Sequence, residues 1–275
     1  MTATPSTSAV LADSSLVGTA LSRAYTEEID AWHRSIVADA GPIEGAALVA
    51  VGGTGRGDLS LGSDLDLLLV HDGSTAIEEL ADRIWYPVWD GGVKLGHAVR
   101  TIDEALELAR DDLDTATSLL DIRHLGGEEE LVEELARRAR AQWVDRADKL
   151  LPQLAERTRD RHVQAGEVAF LLEPDVKLAR GGLRDVHVLH WIDLADDALL
   201  QDSERLGLAG PHDILLAARV ELHRTTGGTA NQLLLQEQDD VAAALGYADA
   251  DDLMAELASA ARTVAWITDA VLHRL

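Results

Sequence analysis

Cysteine is missing from all 275 residues, which rules out disulfides and thiolate metal sites and fits an expected cytoplasmic location. Positive charge is scarce: 24 Lys and Arg stand against 49 Asp and Glu, for a formal charge of -25. Broad contact with nucleic acid needs many phosphate-neutralising cations, so the charge argues against a nucleic-acid partner, while a local basic cluster could still hold a nucleotide. With one Phe and three Tyr against six Trp, Ala, Leu and Val must fill most of the core. No apolar run approaches the roughly 18 residues of a membrane span. The opening MTATPSTSAVLADSS lacks the positive start and the long apolar stretch of a signal peptide. No membrane association is expected.

What is present concentrates between Ala46 and Val70, AALVAVGGTGRGDLSLGSDLDLLLV. An apolar run of strand length ends at Gly52-Gly53, and a second one, Leu65 to Val70, begins inside the pair Asp64 and Asp66. This order predicts a strand, a glycine turn, a short helix and an acidic strand. Two glycines after a buried strand permit a turn that side chains would block and let backbone N–H groups approach a phosphate. Ser63 adds a hydroxyl. Alternate strand residues share a face, so Asp64 and Asp66 project together with Cα atoms about 6.5 Å apart, while Leu65, Leu67 and Leu69 face a core. Such a carboxylate pair suits magnesium, a hard cation that prefers carboxylate and phosphate oxygens and assists in-line displacement at phosphorus.

Around this stretch the pattern divides the chain. Residues 1–14, rich in Ser, Thr and Ala, predict a mobile tail. Leu21, Ala24, Ile29, Trp32 and Ile36 predict an amphipathic helix over about 16–38, ended by Gly41-Pro42. A helix over about 75–89 and a third strand over 93–101 follow. Beyond Thr101 the periodicity is mostly helical, over about 103–123, 128–149, 153–170, 185–200, 211–226, 233–245 and 249–274. The expected fold class is α+β: a small mixed-sheet domain over 15–126, then an all-helical domain over 127–275, with the boundary near Gly126-Gly127.

One loop interrupts the helical half. LLEPDVKLARGGLRD, Leu171 to Asp185, gathers Lys177, Arg180 and Arg184 around Gly181-Gly182, ahead of a helix that Asp185 could cap. Cations, backbone N–H groups and a helix start together suit a phosphate. The same composition also fits a solvated interhelical loop with a glycine turn.

The glycine pair, Arg56 and the Ser63-Asp64-x-Asp66 strand resemble the nucleotidyltransferases of the DNA polymerase beta superfamily. Glu173-Pro174-Asp175-Val176-Lys177, Gly181-Gly182-Leu183-Arg184-Asp185 and Trp191 are similar to the second signature of the PII uridylyltransferase/uridylyl-removing enzyme family. Gly96-His97-x-Val99-Arg100-Thr101, Arg219-x-x-Leu222-His223 and Gln238, Val241, Ala242, Gly246-Tyr247 also fit that family. The resemblance implies a polymerase-beta-like domain followed by a helical one, and transfer of UMP from UTP to a tyrosine of the nitrogen-signalling PII protein. Some branches transfer AMP from ATP instead. Carried over by position, Gly52, Gly53 and Ser63 hold the triphosphate, and Asp64 and Asp66 bind magnesium and are the catalytic carboxylates. Arg56 braces the turn or touches phosphate. Lys177, Gly181, Gly182, Arg184 and Asp185 belong to the nucleotide site.

The chain departs from the family in several places. Asp58 stands where Glu is usual, Leu61 where Pro is common, and Thr54 where an aromatic is frequent. The third carboxylate of the wider superfamily has no counterpart between Val93 and Thr101, and Asp90 is the nearest candidate. Full-length family members continue into an HD phosphohydrolase domain and ACT domains, so the chain is expected to be either a truncation or a short version that only transfers. His71-Asp72 and His212-Asp213 lack further metal ligands and are expected to be structural. His187 and His190 share a helical face, and His97 is expected near the active site. Two alternatives stand beside PII modification: adenylyl transfer to glutamine synthetase, and a catalytically silent nucleotide-binding module.

Overall fold

The computed structural model describes residues 8–73 and 77–275. The chain forms two compact units, one built from residues up to Ser14 with Arg23–Trp143, the other from Ser15–Ser22 with Val144–Leu275. The α+β class expected from sequence is observed.

In the first unit a mixed sheet has the order β3-β2-β1-β4. Its strands are β1 (Ala46–Ala50), β2 (Leu65–His71), β3 (Leu95–Thr101) and β4 (Arg123–Gly127). β2 runs antiparallel to β1, from Ala46 opposite His71 to Ala50 opposite Leu67. β3 runs parallel to β2, with Asp66 opposite Gly96. A parallel neighbour needs a long crossover, which carries helix α4 (Ile77–Asp90). Every residue of β1 is buried, as its unbroken apolar run requires.

The other helices of this unit are α1 (Ala9–Ala12), most of α2 (Gly18–Asp39), α3 (Gly52–Arg56), α5 (Ile102–Asp111), α6 (Leu113–Ser118) and nearly all of α7 (Glu129–Asp145). One face of the sheet buries Ala46, Leu48 and Ala50 of β1 with Leu65, Leu67 and Leu69 of β2. Against them lie Tyr25, Ile29, Trp32 and Ile36 of α2 and Leu80, Ile84, Trp85 and Val88 of α4. Their spacing of three and four residues is one stripe of a helix, and each full burial of a large apolar side chain contributes about 1.5–3 kcal/mol. This core fixes β2, and so the acids at its start.

Residues 1–7 of the expected tail lie outside the described residues, as do residues 74–76. From Ser8 the chain forms the short α1, whose Val10 and Leu11 pack against the core. The single helix expected over 103–123 is corrected to α5 and α6. Thr101 and Glu104 form a capping box at the start of α5, and Asp112 caps α6 by accepting the Thr115 N–H at 2.9 Å. β4 was not foreseen, and the expected boundary at Gly126-Gly127 falls inside it. The sheet unit continues to Trp143 because α7 is tied to α5: Gln142 donates to Leu106 O at 2.9 Å and Arg138 pairs with Asp103 at 2.7 Å.

The second unit contains α8 (Ala147–Ala165), α9 (Leu183–Ala195), α10 (Asp202–Thr226), α11 (Leu235–Leu245) and α12 (Ala250–Arg274). α8 and α10 each begin earlier than their periodicity suggested, and take Pro152 and Pro211 into their spans. Glu204, almost wholly buried, explains the early start of α10. It closes a capping box with Gln201 and forms two hydrogen bonds with Arg274 of α12, at 2.6 and 2.7 Å. Glu221 of α10 accepts the Gly18 N–H at 2.7 Å, placing a carboxylate at the start of α2. Among the described residues no helix is long and apolar enough to cross a membrane.

Candidate functional site

β1 ends at Ala50, and Gly52 opens α3 with φ +56°, a conformation suited to glycine. Gly57, at φ +82°, ends the helix after five residues. Gly55 cannot be replaced without backbone movement, because a Cβ there would lie 1.9 Å from Asp121 O. Gly53 differs: a Cβ would find Arg56 Nη2 no nearer than 3.8 Å. α3 then returns the chain towards β2. Val51 N–H donates to Asp66 O at 3.0 Å, and Asp66 N–H donates to the buried Thr54 Oγ1 at 2.8 Å.

Asp66 is the second residue of β2, and Asp64 lies just before the strand. Leu65 between them is 2% exposed, Asp66 is half-buried, and the Asp64 side chain is 65% exposed. The Asp66 carboxylate lies between two glycines: a Cβ on Gly96 would be 2.5 Å from Oδ1, and one on Gly52 3.9 Å from Oδ2. Lys94 Nζ is 3.9 Å from Asp64 Oδ1, with both groups largely in solvent, a pair worth about 0–1 kcal/mol. Two carboxylates two residues apart at the start of a strand form a hard-oxygen donor set of the kind that suits a divalent cation. No acid lies on β3, and Asp90 ends α4.

The remaining residues expected in this unit brace the turn. Arg56 Nη1 donates to Asp121 Oδ2 at 2.5 Å and its Nε is 3.5 Å from Asp58. The Ser63 hydroxyl accepts the Ser60 N–H at 3.0 Å and lies 3.1 Å from Ser60 Oγ. Arg123 on β4 is a bracing residue that sequence reasoning missed. It donates to the carbonyls of Thr54 and, at 3.2 Å, Gly55, and it pairs with Asp30 of α2. These cations at the end of α3 offset the negative end of its dipole. No spacing rule connects positions 54 and 123, so only the fold reveals the contact.

The loop of the helical unit is organised around Asp185. Its side chain is fully buried, 2.5 Å from Arg161 Nη2 and 2.8 and 3.1 Å from His162 Nε2, and it accepts the Gly181 N–H at 2.7 Å. Burial acts to raise its pKa, but the His162 hydrogen bond and the Arg161 charge outweigh it and hold the carboxyl below its usual range. The cap of α9 is Gly182, and Asp185 sits in the first turn. Gly182 is required by packing, since a Cβ would lie within 2.8–3.0 Å of the carbonyls of Val176, Ala179 and Lys177. Gly181, at φ +82°, would put one 2.4 Å from Ala261 O. Asp175 accepts the N–H groups of Lys177 and Leu178 at 2.8 and 2.7 Å. Arg180 pairs with Glu167 at 2.6 Å and with Asp269. The half-buried Arg184 lies over Trp191, 5.8 Å from the ring centroid.

Thus Gly52, Gly53, Arg56, Ser63, Asp64 and Asp66 lie in the sheet unit, and Lys177, Gly181, Gly182, Arg184 and Asp185 in the helical unit. His97 on β3 packs against Trp85 and Trp89 of α4, with centroids 5.2 and 5.4 Å away. His187 is buried and His190 exposed, so the face they share is not evenly open to solvent.

Comparison with known proteins follows the same division. Residues 31–125 match the nucleotidyltransferase domain family, and residues 149–272 match the family described as GlnD PII-uridylyltransferase. A bifunctional uridylyltransferase/uridylyl-removing enzyme of Streptomyces coelicolor is 46% identical over 250 residues, covering 90% of this chain and 30% of that protein. Its namesake from Mycobacterium tuberculosis is 42% identical over 247 residues, covering 86% of this chain and 30% of the relative. The one from Caulobacter vibrioides is 37% identical over 228 residues, covering 77% and 24%. The chain spans less than a third of the length of these curated relatives.

Proposed function

The chain belongs, over its nucleotidyltransferase part, to the PII-uridylyltransferase family, and from that premise we propose that it transfers a nucleoside monophosphate to a tyrosine hydroxyl of a PII signal protein. UTP is the donor favoured by the relatives' names, and ATP is the other candidate. The carrying observation is the Asp64-x-Asp66 pair beside the glycine turn. A reaction fed by nucleoside triphosphates accords with the cytoplasm.

A magnesium ion held by Asp64 and Asp66 would supply charge neutralisation at the triphosphate. Gly52 and Gly53 bring backbone N–H groups to the phosphates, and Ser63 turns the chain into the acidic strand. Arg56 and Arg123 hold α3 in place through Asp121, Asp30 and the helix carbonyls. The phenolic oxygen attacks the α-phosphorus in line and pyrophosphate leaves, with no covalent enzyme intermediate. In the helical unit, Gly181, Gly182 and Asp185 shape the loop that carries Lys177 and Arg184, two cations suited to an anionic ligand.

The reading is tested by the intact mass of PII incubated with the chain, magnesium and either UTP or ATP. A UMP-sized gain with UTP is expected. An AMP-sized gain would assign the donor to ATP, and no gain with either would overturn transfer to PII.

A further inference from the structure

We propose that Thr54 and Gly96, two uncharged residues, are positioning residues that set where the Asp66 carboxylate stands. The proposal rests on the reading of Asp64 and Asp66 as the metal-bearing pair.

Pairing between β1 and β2 stops at Ala50 opposite Leu67, because the chain turns into α3. Asp66 therefore lies one step past the end of that ladder, paired with β3 on one side and without a β1 strand partner on the other. Two substitutes continue it. Val51 N–H donates to Asp66 O at 3.0 Å, and Thr54 Oγ1 takes the place of the next ladder carbonyl by accepting the Asp66 N–H at 2.8 Å. The same hydroxyl reaches towards Asp64 O at 3.5 Å, so one buried side chain spans the backbone of both acids. An aromatic side chain at position 54 has no oxygen at Cβ to do this. Valine has the shape and lacks the acceptor, whereas serine keeps it.

Gly96 acts from the other side. It is in register with Asp66, and a Cβ would lie 2.5 Å from Asp66 Oδ1. Any side chain there drives the carboxylate from its place. The backbone is thus fixed by Thr54 and the side chain is admitted by Gly96. Groups that hold metal ligands in place typically change metal affinity about 10- to 100-fold when removed.

The experiment is a manganese(II) titration of the full chain by electron paramagnetic resonance, with a non-hydrolysable UTP analogue present. The parent is compared with Thr54→Val, Thr54→Ser, Gly96→Ala and Asp66→Ala. Asp66→Ala is expected to lose manganese binding, Thr54→Val and Gly96→Ala to bind about 10-fold more weakly, and Thr54→Ser to stay within about two-fold. In transfer assays, half-saturating magnesium should rise by the same factor in Thr54→Val and Gly96→Ala, with KM for the acceptor unchanged. Loss of fold alone would not produce that split. Manganese affinities of Thr54→Val and Gly96→Ala within two-fold of the parent, alongside loss in Asp66→Ala, would overturn the proposal and leave the metal reading intact. Undiminished binding in Asp66→Ala would overturn both. Gly96→Ala lies on an exposed part of β3 and decides the matter if Thr54→Val fails to fold.

Discussion

Two glycine pairs in this chain, each followed by an aspartate, look alike in sequence and differ in three dimensions. In the sheet unit, Gly52-Gly53 leads to Asp64 and Asp66, of which one is mostly in solvent and the other half-buried. In the helical unit, Gly181-Gly182 leads to Asp185, which is fully buried and held by Arg161, His162 and the Gly181 N–H. The first arrangement presents carboxylates outward at the start of a strand, and the second uses its carboxylate to fasten its own loop. A glycine-acid pattern therefore marks chemistry only where the fold leaves the acid on an accessible face.

The largest expected effect separates these roles. Asp64→Ala and Asp66→Ala should each lower transfer by at least about 10³-fold, or 4 kcal/mol of transition-state stabilisation, with the unfolding midpoint nearly unchanged. Asp185→Ala should do the reverse. Removing one partner of a buried ion pair costs about 3–5 kcal/mol, visible in urea denaturation as early loss of the helical unit. The same stability loss in Asp66→Ala would break the comparison.

Two buried groups, one in each unit, should respond to acid over different ranges. His33 of α2 is fully buried, and burial lowers its pKa from 6.5 to about 4. Its folded pKa lies below the unfolded one, so stability is complete above pH 6.5 and falls progressively towards pH 4. The total loss is about 3 kcal/mol. Asp185, also depressed, contributes stability above its unfolded pKa of about 3.9 and loses it only below that. The sheet unit should weaken between pH 6.5 and 4, as read by its tryptophan fluorescence, and His33→Phe should flatten that slope.

The glycines give a finer test. Gly181→Ala places a Cβ 2.4 Å from a carbonyl at positive φ and should destabilise by about 1–3 kcal/mol. Gly53→Ala has room for its methyl, so stability should move by less than about 1 kcal/mol, with any loss falling on nucleotide affinity. Smallest of all, Lys94→Ala should shift stability by no more than about 0.5 kcal/mol, since its pair with Asp64 is exposed.

Much of the sheet unit was legible because its signals are local. The apolar run of β1, the acids at the start of the apolar run Leu65 to Val70, and the stripes of α2 and α4 each lie within one window of sequence. β4 was not legible, because Arg-His-Leu-Gly-Gly has too few apolar residues to mark a strand and is recruited by pairing with β1. Thr54, Arg123 and Asp121 were silent for a related reason: their roles depend on partners 10 or more residues away. Asp185 was seen, but its burial was not, since Arg161 and His162 lie on a different helix.

The most direct test is the transfer rate per folded molecule for Asp66→Ala and Asp185→Asn, measured with PII, magnesium and UTP alongside each unfolding midpoint. Asp66→Ala should retain its midpoint and lose transfer, while Asp185→Asn should lose stability and keep substantial transfer in its folded fraction. Transfer by folded Asp66→Ala at a rate near the parent's would contradict the assignment of the acidic strand.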